Sequence, residues 1–219
     1  MSTVLELTKP KICKNEVLYG ISWEVYEEFL HEHWGMQSPR FTYDSGILEI
    51  YMPISDKHEE DNCNLAAVFV EIAIELEIDF RRFGSMTFQK KEIRKGFEPD
   101  SCFYAQSLQL IEGKSNLGID NEIPPDLIIE VNRTSSSRPR MPIFAAFGVK
   151  EIWRFDGKSV KFYMLEEGVY LETKKSIALS ILSSKKATEF LLESRKLKST
   201  AWAKQIRDWA RGERMKDEG

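Results

Sequence analysis

The sequence predicts an α/β or α+β fold, a mixed central sheet flanked by helices, and three observations carry the prediction. Apolar residues recur at helical spacing in three separated stretches, and between them the chain alternates at strand period. Two turn signals, Asp44-Ser45-Gly46 and Asp156-Gly157, sit between alternating runs. "PPDLIIEVN" is a short, nearly continuous apolar strand of the kind buried on both faces.

The elements follow in order. "SWEVYEEFLHEHWG" reads as a helix capped at Ser22 and stopped at Gly35, with Trp23, Tyr26, Phe29, Leu30 and Trp34 near helical spacing. His31 and His33, two apart on it, face different directions and are expected at the surface. "FTYDSGILEIYMP" is a hairpin. A long helix is predicted over 56–78, with Leu65, Val68, Phe69, Ile72 and Leu76 on its apolar face. "FRRFGSMTFQKK" and "FEPDSCFYA" read as strands, and the polar segment 106–122 as a loop. "SSSRPRMPIFAAFG" reads as a loop and a short helix ended by Gly148, and "VKEIWRFDGKSVKFYMLEEGVYLE" as two or three strands. A final helix is expected over 187–214.

At 219 residues the chain suits one domain with a sizeable core. No apolar run approaches the ~18 residues of a membrane span, and the first residues lack a secretory pattern, so a cytoplasmic protein is expected. Three scattered cysteines, Cys13, Cys63 and Cys102, with no CxxC pair, exclude a disulfide framework or zinc knuckle. The net charge of −4 argues against a protein coated for nucleic acid. Its distribution is uneven: residues 185–216 hold ten Lys and Arg against four acids, and "KKEIRK" forms a second basic cluster. These are either solvated faces or phosphate contacts.

The chemistry lies in three acids placed in strand-like runs, Asp100 in "FEPDSCFY" and Asp126 and Glu130 in "PPDLIIEVN". An ionised carboxylate buried without a partner costs several kcal/mol. Alternation puts Glu98, Asp100, Cys102 and Tyr104 on one strand face, and Asp126, Ile128, Glu130 and Asn132 on another. If the strands are neighbours, Asp100 and Glu130 converge and need a cation between them: a hard divalent ion, or an arginine such as Arg133, Arg138, Arg140 or Arg154. Asp126, after two prolines, either joins them or caps the loop entry by accepting backbone N–H bonds. His58 and Glu59 open the long helix, either as an exposed first turn complementing the helix dipole or at the edge of a metal site.

These residues carry a resemblance. "YDSGILEIYMPISDKHE", "FEPDSCFY", "PPDLIIEVNRTSSS" and "IFAAFGVKEIWRFDG", in this order, resemble the Uma-two family of endonucleases within the restriction-endonuclease-like PD-(D/E)XK superfamily. The resemblance implies a restriction-endonuclease-like domain over 1–219, with its core at about 40–170. It also implies Mg²⁺ or Mn²⁺ held by Asp100, Glu130 and the carbonyl of Val131, and DNA hydrolysis by a metal-activated water that Glu130 orients or deprotonates. His58, Glu59 and Asp126 are secondary candidates. Asn132 stands at the superfamily lysine, and Arg140, preceded by Pro139, at the position where the Uma-two pattern has a lysine opening the next helix. Arginine stabilises phosphate charge but cannot act as a base. Catalytic roles are therefore expected for Asp100, Glu130, Asn132 and Arg140, with no small-molecule cofactor and no membrane partner. The alternative is a catalytically impaired nucleic-acid or protein-interaction module that keeps the fold. A homodimer is expected too, from the apolar material in "VYLETKKSIALSIL" and from Trp202 and Trp209, seven apart on one stripe.

Overall fold

The computed structural model describes residues 15–33, 35–36, 38–52, 55–115, 117, 123–131 and 139–217. Cys13, Trp34, Asn132, Arg133 and Arg138 lie outside the described residues, as does part of the expected 106–122 loop.

A first strand, β1 (Asn15–Tyr19), precedes helix α1 (Trp23–Glu32). Ser22 caps α1 by accepting from Val25 N, and the helix buries Trp23, Tyr26 and Leu30. The hairpin forms as β2 (Arg40–Asp44) and β3 (Ile47–Tyr51). Its Ser45-Gly46 turn has φ of 49° and 98°, the two positive values that match the twist of the flanking strands. Helix α2 (Asp56–Glu75) starts at Ser55, whose hydroxyl accepts from His58 N at 3.1 Å. Then come β4 (Arg81–Phe83), β5 (Phe88–Lys90), β6 (Lys95–Phe97), β7 (Ser101–Tyr104), a 3₁₀ turn (Leu108–Ile111), β8 (Leu127–Val131) and α3 (Met141–Phe147). Gly148, at φ 82°, ends α3 in the left-handed conformation. Strands β9 (Glu151–Phe155), β10 (Val160–Glu166) and β11 (Val169–Thr173) lead to α4 (Ser184–Glu193) and α5 (Ser199–Asp217).

The strands form two sheets where the sequence reading expected one central sheet. The first is antiparallel, in the order β1-β3-β2-β6-β5; the second runs β11-β10-β9-β8-β7-β4, with only β8 and β9 parallel. The expected strand over "FRRFGSMTFQKK" breaks at the exposed Gly84-Ser85, which sends β4 to one sheet and β5 to the other. The "KKEIRK" cluster becomes the β5–β6 turn. There Lys95 pairs with Asp44, Arg94 reaches the Tyr43 hydroxyl and Lys90 lies over the Phe147 ring.

Among the described residues there are four apolar clusters, three of which hold the layers. α2, α4 and α5 cover one face of the six-stranded sheet through Leu65, Phe69, Trp153, Phe190 and Trp202. On its other face Cys102 and Ile128 meet Phe97 of the first sheet and Phe144 of α3. α1 packs on the first sheet, with Tyr26 stacked on Tyr43 at 4.6 Å. The packing is tight: a Cβ added at Gly96 would fall 2.8 Å from Cζ of Tyr26.

The single C-terminal helix expected over 187–214 is two helices. Ser194 turns its hydroxyl back to Leu191 O at 2.7 Å, and α5 folds back so that Trp202 Nε1 donates to Phe190 O at 2.8 Å. Trp202 is therefore buried within the chain, and Trp209 packs against the same cluster while remaining partly exposed. The basic excess of this segment is partly met by α2 and the turn after it: Arg195 pairs with Asp61, Arg207 with Glu71, Arg211 with Glu75 and Arg214 with Glu77. The paired arginines stay largely exposed, so the patch is a solvated face that also bridges helices. Among the described residues no helix is long and apolar enough to cross a membrane.

Candidate functional site

Register builds the site. β7 and β8 pair antiparallel as Ser101↔Ile129, Cys102↔Ile128 and Phe103↔Leu127, so the next pair outward is Asp100 opposite Glu130. Val131 N donates to Asp100 Oδ2 at 2.7 Å and extends the ladder through a side chain. The two acids are 4% and 3% exposed, which makes their partners decisive.

Each carboxylate has an arginine. Arg40, the first residue of β2, donates Nη1 to Asp100 Oδ1, and its Nη2 lies 3.4 Å from Oε1 of the half-exposed Glu59. Arg140, just before α3, donates Nη1 to Glu130 Oε2 at 2.7 Å and Nη2 to the Glu98 carbonyl at 2.7 Å. It makes no side-chain cap for α3; its guanidinium serves the site and lies 5.3 Å from the Phe144 ring centre. Among the described residues Glu130 Oε1 is buried with no hydrogen-bond partner.

The first turn of α2 supplies the remaining wall. Of the two readings of His58, the exposed first turn fails: the residue is buried and stands beside Asp100. Its Nε2 lies 3.0 Å from the Tyr51 hydroxyl and 3.3 Å from Asp100 Oδ2, and its Nδ1 lies 3.3 Å from Glu59 Oε1. One turn on, Asn62 donates to the Asp100 carbonyl at 3.2 Å and accepts from Ser101 Oγ at 3.0 Å.

The electrostatics separate the two acids. Burial pushes the Glu130 carboxyl up to about 7, with Arg140 opposing and Asp100 reinforcing the shift. Burial also works on Asp100, but the His58 bond and the Arg40 charge outweigh it and hold that carboxyl below its ordinary value. His58 is correspondingly raised: burial works against the charged ring, and the bond to Asp100 overcomes it.

Asp126 is not brought to this site. It precedes β8 at the opposite end, where its Oδ2 accepts from Ala105 N, Ser107 N and Ser107 Oγ at 2.8–2.9 Å, and Lys150 stands 3.6 Å from Oδ1. That is the loop-entry role. Asn132 lies outside the described residues.

Among the described residues no three or more His, Cys, Asp or Glu side chains gather as a metal cage. Two carboxylates on neighbouring strands with one orphaned oxygen still fit a Mg²⁺-like ion, which takes one or two carboxylates and keeps several waters. Arg40, Tyr51, Asn62 and Glu98 were missed in the sequence. The available signal was Arg40 itself, a cation opening the otherwise apolar run "RFTY".

A cleft of about 960 Å³ opens onto Asp100 between β2, α2 and β4. Arg40, Glu59, Glu98 and Asp100 lie within it, with Arg81 and Arg82 of β4 also on its lining.

Comparison with known proteins agrees with this architecture. A crystal structure described as "a putative nuclease belonging to DUF820", from Anabaena variabilis ATCC 29413, superposes with a TM-score of 0.51 at 19% identity, covering 78% of this chain and 99% of that one. At that identity the likeness shows the fold. No curated protein matches. The family model Uma2, described as "Putative restriction endonuclease", matches residues 23–192, and this chain belongs to that family.

Proposed function

We propose that the protein is a Mg²⁺- or Mn²⁺-dependent nuclease that hydrolyses the DNA backbone, with Asp100, Glu130 and the Val131 carbonyl as ion ligands. The observation that carries the reading is the buried, unpartnered Oε1 of Glu130, across the sheet register from Asp100. When bound, the ion supplies an activated water and offsets phosphate charge. Burial raises the ion-free Glu130 carboxyl to about 7, and a bound cation would offset that cost by holding it ionised. His58 and Asn62 fix Asp100 from α2. Arg140 offers a permanent positive fork beside Glu130, suited to a phosphate oxygen. Asn132 holds the superfamily lysine position without that residue's charge.

Cleavage of plasmid DNA with and without Mn²⁺ tests the reading. Divalent-dependent nicking by the parent protein, lost in Asp100→Ala at unchanged melting temperature, is the expected result; undiminished nicking by that variant refutes it.

One observation favours the second reading, a non-catalytic interaction module: each buried acid already has its own arginine. Calorimetric titration with Mn²⁺ separates the two. Binding lost in Glu130→Ala supports the nuclease, whereas no binding at millimolar ion supports the module. The expected homodimer would use the exposed Val169 and Leu171 of edge strand β11, since Trp202 is buried within the chain. A light-scattering mass of one chain at micromolar concentration counts against it.

A further inference from the structure

We infer that the cleft beside Asp100 admits an unpaired DNA strand, not a duplex, and that Arg40 at its floor takes the phosphate nearest the carboxylates; this rests on the nuclease reading of the same site. Three observations converge on it.

The first is size and depth. About 960 Å³ is the scale of a cavity that encloses a small ligand. Asp100 at its floor is 4% exposed, so a two-stranded body would stop at the rim while a single backbone reaches in.

The second is lining. Arg81 and Arg82, both exposed, lie along the edge strand β4, and the partly buried Phe83 and Met86 line the same space. A cationic flank beside apolar and aromatic surface is what single strands use, phosphates on one and bases on the other. Of the acids in the cleft, Glu98 is already spent on Phe41 N at 2.7 Å and on Thr87 Oγ1.

The third is Arg40. It is the one described cation that both lines the cleft and touches Asp100. It is 7% exposed, its Nε has no partner and its Nη2 has only the long contact to Glu59. The Nε is buried, so the loosely held Nη2 is the donor left for a phosphate oxygen.

Fluorescence anisotropy with a short fluorescein-labelled oligodeoxynucleotide, single-stranded or annealed to its complement, tests this in EDTA, where binding is read without cleavage. The single strand should bind at least about tenfold tighter than the duplex. Arg82→Glu should weaken single-strand binding by about tenfold and lower the salt slope by about 0.7 for each phosphate no longer neutralised. Arg40→Gln should weaken it by a similar factor, with Arg40→Lys recovering part. If thermal melting shows that Arg40→Gln does not fold, Arg82→Glu, at an exposed position, decides alone. Duplex binding as tight as the single strand, or full affinity in Arg82→Glu, overturns the inference. Failure of the nuclease reading looks different: normal single-strand binding with no divalent-dependent cleavage. Cleavage confined to duplex would refute the strand preference and leave the nuclease standing.

Discussion

Asp126 and Glu130 sit four residues apart at the two ends of β8, both nearly fully buried, and they have opposite fates. Asp126 accepts two backbone N–H bonds and one hydroxyl and is spent on closing a loop. Glu130 has one oxygen on Arg140, the other on nothing, and a carboxyl raised to about 7. Burial alone therefore does not mark a functional acid. What distinguishes one is incomplete satisfaction, because an orphaned oxygen costs stability that only a ligand or a proton returns.

Substitutions at the two ends should part company. Glu130→Gln is expected to cost divalent-dependent cleavage roughly 10³-fold, the upper scale for one lost electrostatic group, while urea unfolding stays close to the parent. Asp126→Ala should do the reverse: about 3 kcal/mol lower unfolding free energy, from stranded Ala105 and Ser107 donors, with Mn²⁺ affinity by calorimetry unchanged in the folded protein. A Glu130 variant that unfolds like Asp126→Ala would erase the distinction.

Arg140→Ala comes next, at roughly 10²-fold in cleavage, with Arg140→Lys retaining activity if the side chain acts as an electrostatic clamp. A melting temperature lowered by Arg140→Ala in a parent that cuts nothing would instead make the arginine a substitute for the ion.

The smallest effect is in pH. Folded Glu130 keeps its proton up to about 7 while the unfolded carboxyl releases it near 4.5, so the native state binds more protons between those values. Stability should therefore fall as pH rises through that window, by about 1–3 kcal/mol, and His58, also raised, extends the fall above its ordinary value of 6.5. Glu130→Gln should flatten most of that slope in urea titrations at stepped pH; Asp126→Asn should leave it.

Much of the fold was legible because its signals are local. Ser22, the Ser45-Gly46 turn, Gly148 and the apolar run of β8 each announce an element within a few residues. The division into two sheets was not, since nothing near Arg81 states whether its strand pairs with β7 or with β6. The site shows the same limit. A search for counter-ions close to the acids reaches Arg140, but the partner of Asp100 lies 60 positions away at Arg40. His58 stayed open between two readings for a related reason: helical position alone does not say which flank of a first turn faces the sheet.

Gly96 has a consequence for how this protein can change over generations. Its missing side chain is the space that the Tyr26 ring occupies, against Tyr43 and beneath β6. No side chain can arise at 96 while that ring stays at 26, so the two positions are one heritable unit, lost or kept together. A lineage that carries a larger residue at 96 should carry a smaller one at 26, a correlation that sequencing alone can score.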